Sequence, residues 1–192
     1  MHAPRYWIGL LALVAVWGAS YALIEVALPS IGPLEVTVLR IALGAVLMTG
    51  ICLVGRIPLP LDREAGWRLG AVALFGTVAP FLLISWGQTQ IDSAVAGVLM
   101  SIMPLSVLVF SKLLLPEDPL TRWHWLGFAC ALAGIVVLMA PDLSWPVAGP
   151  LTGHLSVLAG ALCYGLSAVI ARSLPPRNVW ANTALLLLFG LV

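Results

Sequence analysis

Six apolar runs, each about as long as a lipid bilayer is thick, divide this chain: residues 7–28, 34–54, 67–88, 93–115, 123–140 and 153–171. A hydrocarbon core of roughly 30 Å needs about 20 residues of helix at 1.5 Å each. Inside that core no water satisfies the backbone, so only helices or closed barrels can span it. Barrel strands would alternate apolar and polar residues over about ten positions, and the runs show no such alternation. The sequence therefore predicts an all-α, multi-span integral membrane protein. A seventh apolar stretch runs from Val179 to Val192, about 14 residues, which is short for a span.

Composition agrees. Hydrophobic residues make up 61 %, charged residues 9 %, and the mean hydropathy is +1.08. A soluble domain carries about a quarter charged residues to wet its surface. The first run is longer than a signal-peptide core and more spans follow it, so it reads as a first membrane helix. The net charge is +1 and no basic stripe is present, which excludes a nucleic-acid partner. Cys52, Cys130 and Cys163 fall within apolar runs without CxxC spacing, and read as small buried hydrophobes.

The connections are short and rich in proline, glycine and acids: 29–33, 56–66, 89–92, 116–122 and 141–153. Of nine Lys and Arg residues, all but Arg40 lie at one set of span ends. Arg5 precedes the first span; Arg56, Arg63 and Arg68 follow the second. Lys112 and Arg122 flank the fourth turn, with Lys112 snorkelling from its helix, and Arg172 and Arg177 follow the sixth span. The loops after spans one, three and five contain none. The positive-inside rule then places the N-terminus in the cytoplasm of a multi-pass protein of the inner (cytoplasmic) membrane.

The first and sixth spans match at an offset. WGASYALIEVALP (17–29) aligns with YGLSAVIARSLP (164–175), pairing Trp17 with Tyr164, Gly18 with Gly165, Ser20 with Ser167 and Glu25 with Arg172. After the loss of one residue, Pro29 aligns with Pro175, Thr37 with Thr183 and Gly44 with Gly190. A five-helix unit that repeats must re-enter the membrane inverted, an architecture recurrent among secondary transporters, with the substrate site between the halves. Residues 1–142 form the first unit on this reading, and 150–192 open a second, incomplete one.

The string WGASYALIEVAL, followed by a turn and Pro33, Leu34 and Arg40, resembles the opening of EamA-type members of the drug/metabolite transporter superfamily. Residues 94–139 are similar to that family's fourth and fifth helices: an L-x-P-L stretch, an acid-containing turn and a glycine-spaced helix. Gly153 to Arg172 resembles the start of its second repeat. The resemblance implies ten helices in two inverted five-helix units, exporting or importing small metabolites by alternating access. Against that pattern the chain lacks the last three helices and part of a fourth, so a truncated product or fragment is expected. Glu25 also stands where family members often carry a basic residue, which unsettles any transferred substrate preference.

Ionisable groups within a span cost about 2.5–3.5 kcal/mol each on insertion scales and call for a reason. Glu25 and Arg40 lie at similar depths on consecutive spans, so they could pair, with Glu25 as a proton-coupling carboxylate or a cation contact. The alternatives are headgroup positions or a static salt bridge. Trp17, Gly18, Ser20 and Tyr21 occupy one turn of the first span and offer an aromatic wall with a close-approach point; helix packing is the competing reading for Gly18. With Tyr164 and Ser167, their counterparts in the sixth span, these make the expected substrate-binding set Trp17, Ser20, Tyr21, Glu25, Arg40, Tyr164 and Ser167. Pro80 and Pro104 each remove a backbone hydrogen bond within a span and are candidate gating bends, with Ser101 placed to soften the second. Ser85, Trp86, Gln88, Gln90 and Asp92 read as an interfacial stretch, and Trp67, Trp86, Trp123, Trp125 and Trp180 as belt residues.

No HExxH, GxSxG, P-loop or dinucleotide-binding motif occurs. His2, His124 and His154 lie at span ends without a second ligand at metal spacing. No enzyme activity, cofactor or metal is expected. The expected partners are the lipid bilayer, a small-molecule substrate, a proton as coupling ion and a second copy in a homodimer. The expected function is secondary transport of small amino-acid-like or drug-like metabolites, in the efflux direction. The competing reading is a membrane assembly subunit or an inactive transporter fragment.

Overall fold

A computed structural model of the protein describes residues 4–59, 63–115, 121–139, 149–174 and 178–192. The turn at 116–120, the linker at 141–148, and His2, Pro175 and Arg177 lie outside the described residues. Every described element is helical. The first span is α1 (Pro4–Ala27) and the second is α2 (Pro33–Val54). The third is composite: α3 (Arg63–Ala73), a π-helical turn (Leu74–Val78) and α4 (Ala79–Gly87). The fourth joins α5 (Ser93–Leu99) through a 3-10 turn (Met100–Ile102) to α6 (Met103–Leu114). Then come α7 (Arg122–Met139), α8 (Leu151–Ala171) and α9 (Val179–Phe189). Among the described residues five helices are long and apolar enough to cross a membrane: Tyr6–Ala27, Pro33–Val54, Gly66–Gly87, Ser93–Leu114 and Leu151–Ala171.

The two intraspan prolines explain the breaks in helix type. Proline lacks the N–H that closes an i→i−4 bond and clashes with the carbonyl one turn back. Before Pro80 the chain widens into the π turn, and before Pro104 it tightens into the 3-10 turn. Pro80 is fully buried, whereas Pro104 is exposed. Ser101 Oγ donates to the Val98 carbonyl at 2.5 Å, within the tightened turn.

The centre of the bundle is α8, packed by α4, α6, α3 and the π turn. Between membrane helices no hydrophobic force drives association, so close backbone approach and interhelical hydrogen bonds must do it. Gly153 and Gly160 face α4, and Gly165 faces Ser106 of α6 so closely that a Cβ there would collide with the serine. Ser156 Oγ donates to the Leu83 carbonyl at 2.7 Å and Ser106 Oγ to the Ala161 carbonyl at 3.1 Å, tying α8 to both neighbours. An apolar cluster of Ile84, Ile91, Ala96, Met100, Val157 and Ala161 fills the space between these helices. α9 lies against α2 and α3, with Leu187 on Gly44, while α1 packs chiefly on α5 and leaves most of its length exposed.

Arg68 and Arg172 lie together at one end of the bundle. Arg68 donates to the Ser173 carbonyl at 3.0 Å, and Arg172 to Ser111 Oγ at 3.1 Å. Trp67 and Trp123 lie beside Arg68 and Arg122 at 5.4 and 5.3 Å, exposed as belt residues should be. At the opposite end Thr152 Oγ1 donates to Gln90 Oε1 at 2.6 Å, and Gly149 takes a φ of +101° where the chain passes over the Gln90 carbonyl. A side chain would be strained at that φ. Glu25 reaches the start of the fourth span and Arg172 its end, so α1 and α8 run antiparallel. Aligned hydroxyls also make matching local bonds. Ser20 and Ser167 donate to the carbonyls of Trp17 and Tyr164 (2.7 and 3.3 Å), and Thr37 and Thr183 to those of Pro33 and Val179 (2.8 and 2.9 Å).

Two sequence expectations are corrected. Cys130 is exposed on α7 rather than buried, while Cys52 is buried and Cys163 intermediate; a thiol is apolar enough to face lipid as well as protein. Gly18 packs against nothing within 4 Å, so the close approach made at Gly165 has no equivalent at Gly18 among the described residues.

Candidate functional site

Arg40 sits seven residues after the start of α2, about 10 Å along the helix axis. Its guanidinium lies over the Phe81 ring of α4, 3.9 Å from the centroid. The hydroxyls of Tyr21 on α1 and Tyr164 on α8 are within electrostatic reach of it. Among the described residues it has no ion-pair partner, and no hydrogen-bond acceptor takes its N–H groups. Four helices thus converge on one cation: α1, α2, α4 and α8.

Beside Arg40 a cavity of about 200 Å³ opens between α1 and α2. Leu23, Ile24 and Ala27 of α1 form one wall, Val36 and Leu39 of α2 the other, and Ser20 and Arg40 are its polar members. Helical spacing explains the wall on α1, since residues 20, 23, 24 and 27 share one face. A site of this composition is largely apolar with few fixed polar groups, as small-molecule sites are.

Of the expected substrate-binding residues, the structure brings together Ser20, Tyr21, Arg40 and Tyr164. Trp17 is half-exposed and lies one helical turn from Tyr21 on α1. Ser167 lies apart, against Gly76 in the π turn. The Glu25–Arg40 pair does not form. Glu25 is exposed, and its Oε2 accepts the Ser93 backbone N–H at 3.1 Å, occupying a helix N-terminus that favours an anion. Arg40 points the other way, into the bundle.

The sequence missed Phe81 and misplaced Ser85 and Gln88. Ser85 is 0 % exposed and Gln88 6 %, so neither is interfacial. Gln88 Nε2 donates to the Tyr21 carbonyl at 2.9 Å, fastening α1 to α4, while its Oε1 and the Ser85 hydroxyl have no hydrogen-bond partner among the described residues. An amide near a span end has no local signature that separates headgroup contact from burial. Phe81 carries none either, because one aromatic in an apolar run is unremarkable. No group of three or more metal-ligating side chains occurs among the described residues.

The protein-family comparison matches residues 5–140 to the EamA-like transporter family. Among related proteins, the uncharacterized transporter YoaV of Bacillus subtilis is 25 % identical over 88 % of this chain and 57 % of its own length. The uncharacterized inner membrane transporter YedA of Escherichia coli is 26 % identical over 95 % of the chain and 58 % of its own. An uncharacterized transporter of Archaeoglobus fulgidus is 28 % identical over 72 % and 49 %. The chain spans about half the length of these relatives, and no solved structure matches it. With membrane-length helices gathered in one bundle and a family match over most of its residues, the chain belongs to the EamA-like transporter family.

Proposed function

We propose that this chain carries the first half, and the opening of the second, of a secondary transporter. It moves small metabolites out across the cytoplasmic membrane by alternating access, with its N-terminus in the cytoplasm. The observation that carries this reading is Arg40, a cation deep in a span, without an acid partner among the described residues, bordering a cavity. A cation–π contact returns about 0.5–2 kcal/mol, less than the roughly 2.5–3.5 kcal/mol that an arginine costs on insertion scales. A ligand that pairs with the guanidinium would offset the difference. The antiparallel run of α1 and α8 and the matching hydroxyl bonds support the inverted repeat, although serine and threonine bond back in many helices. The basic end of the bundle supports the orientation.

Substrate contacts fall to Arg40, Tyr21, Tyr164 and Ser20, and alternating access to movement of α1. That helix is held to the bundle by its contact with α5 and by two side-chain hydrogen bonds, from Gln88 and to Glu25. The test is export from cells that overproduce amino acids, comparing the chain with Arg40→Gln at equal membrane abundance. Wild-type export above the vector control, lost in the variant, is the expected result. Export equal to the vector control for both overturns it.

A further inference from the structure

The transport reading leaves open what kind of molecule the cavity accepts, and its walls and charges narrow the answer. Glu25 and Glu35 are the acids on the flanking helices. Glu25 is engaged at the start of α5, and Glu35 folds back against Gly32 in the first turn of α2. Both are exposed, and neither offers a buried anion to a cationic ligand. Arg40 therefore sets the sign of the site. A guanidinium presents a rigid fork of donors that fits a carboxylate bidentately. Among the described residues Arg40 is the one cation lining the cavity, and Arg68 and Arg172 are tied to serines at the other end of the bundle. A dianion would be left half-neutralised in a low-dielectric site. The remaining surface is apolar apart from Ser20, and about 200 Å³ is less than the roughly 300–1,000 Å³ of a drug-sized pocket.

We infer that the cavity between α1 and α2 binds a small organic monoanion, with its carboxylate on Arg40 and an apolar body along Leu23, Ile24 and Leu39. This rests on the transport reading for its purpose but not for its chemistry. An anionic lipid headgroup would offer the same charge, and the cavity is flanked by two helices largely open to lipid. A soluble carboxylate fits better, because Arg40 faces Phe81 inside the bundle rather than the headgroup layer.

The experiment measures radiolabelled benzoate binding to the full chain in phosphatidylcholine nanodiscs. Saturable binding is expected, undisplaced by a tenfold excess of benzylamine or inorganic phosphate. Arg40→Gln should weaken it at least tenfold, and Arg40→Lys, which keeps the charge and loses the fork, by an intermediate factor. Both variants are checked for monodisperse elution, and the lysine variant keeps the test decisive if the glutamine variant misfolds. Absence of saturable binding overturns the inference, as does displacement by benzylamine. Displacement when phosphatidylglycerol is added to the nanodiscs assigns the site to lipid and also overturns it. Flux in proteoliposomes separates the two readings. Benzoate binding without flux would sink transport and leave the ligand class standing. Arg40-dependent flux of a cation without benzoate binding would do the reverse.

Discussion

The Arg40 guanidinium stacks on the Phe81 ring at 3.9 Å, joining the second span to the third through a cation and a π face. Phe81→Leu removes that face and is expected to cost about 0.5–2 kcal/mol. Phe81→Tyr keeps it and should be close to neutral. Unfolding in detergent measures both. In an Arg40→Gln background the leucine substitution should cost less, since the two side chains act as one pair.

Ser106 and Gly165 mark the tightest crossing, between α6 and α8. Gly165→Ala drives a methyl into the serine and is expected to destabilise by about 1–3 kcal/mol, as overpacking does. Ser106→Ala loses one interhelical hydrogen bond, about 0.6 kcal/mol in a membrane protein. Combined with Gly165→Ala, it should relieve part of the clash. A double-mutant cycle on unfolding free energies checks this, and strict additivity would contradict the crossing.

Gln88→Leu has two opposed effects. It breaks the bond to the Tyr21 carbonyl but also removes a buried Oε1 that lacks a partner among the described residues. Replacing a half-satisfied buried amide by an apolar group is often nearly neutral, so global stability should change by less than about 1 kcal/mol. Local stability should not stay the same. Hydrogen exchange in residues 17–27 of α1 should speed up while α8 is unaffected, because α1 has few other ties to the bundle.

The two ends of the bundle give a topological prediction. With Cys52, Cys130 and Cys163 replaced by alanine, a cysteine at Gln90 should react with an impermeant maleimide added outside intact inner-membrane vesicle-free spheroplasts. A cysteine at Ser173 should react only after permeabilisation. The opposite pattern would reverse the orientation assigned from the basic residues.

The spans were legible in the sequence to within a few residues, because a helix that crosses lipid advertises itself residue by residue. Pro80 and Pro104 also signalled breaks, though not their kind. A missing N–H can be accommodated by widening or by tightening the helix, and the neighbours choose. The convergence of Tyr21, Arg40 and Tyr164 was half-legible: each stood out alone as a polar or aromatic group in an apolar run. The proposed Glu25–Arg40 pair failed because depth along the membrane can be counted from sequence, but direction around a helix cannot be assigned until its neighbours are known. Glu25 reaches the start of α5 while Arg40 turns to the Phe81 ring, so the two face apart.

Hydropathy along the chain, by itself, determined that this protein lives in a bilayer as a multi-span helical bundle, with its basic span ends separated from the rest. Lipid imposes that local requirement on each segment independently. Tertiary structure decided which side chains meet. Phe81 reached Arg40 through the packing of α4 on α2, Gln88 tied α4 to Tyr21 of α1, and Gly165 received Ser106 where α6 crosses α8. That packing depends on small residues fitting across tens of positions, and small residues carry little chemical signature until they are in contact.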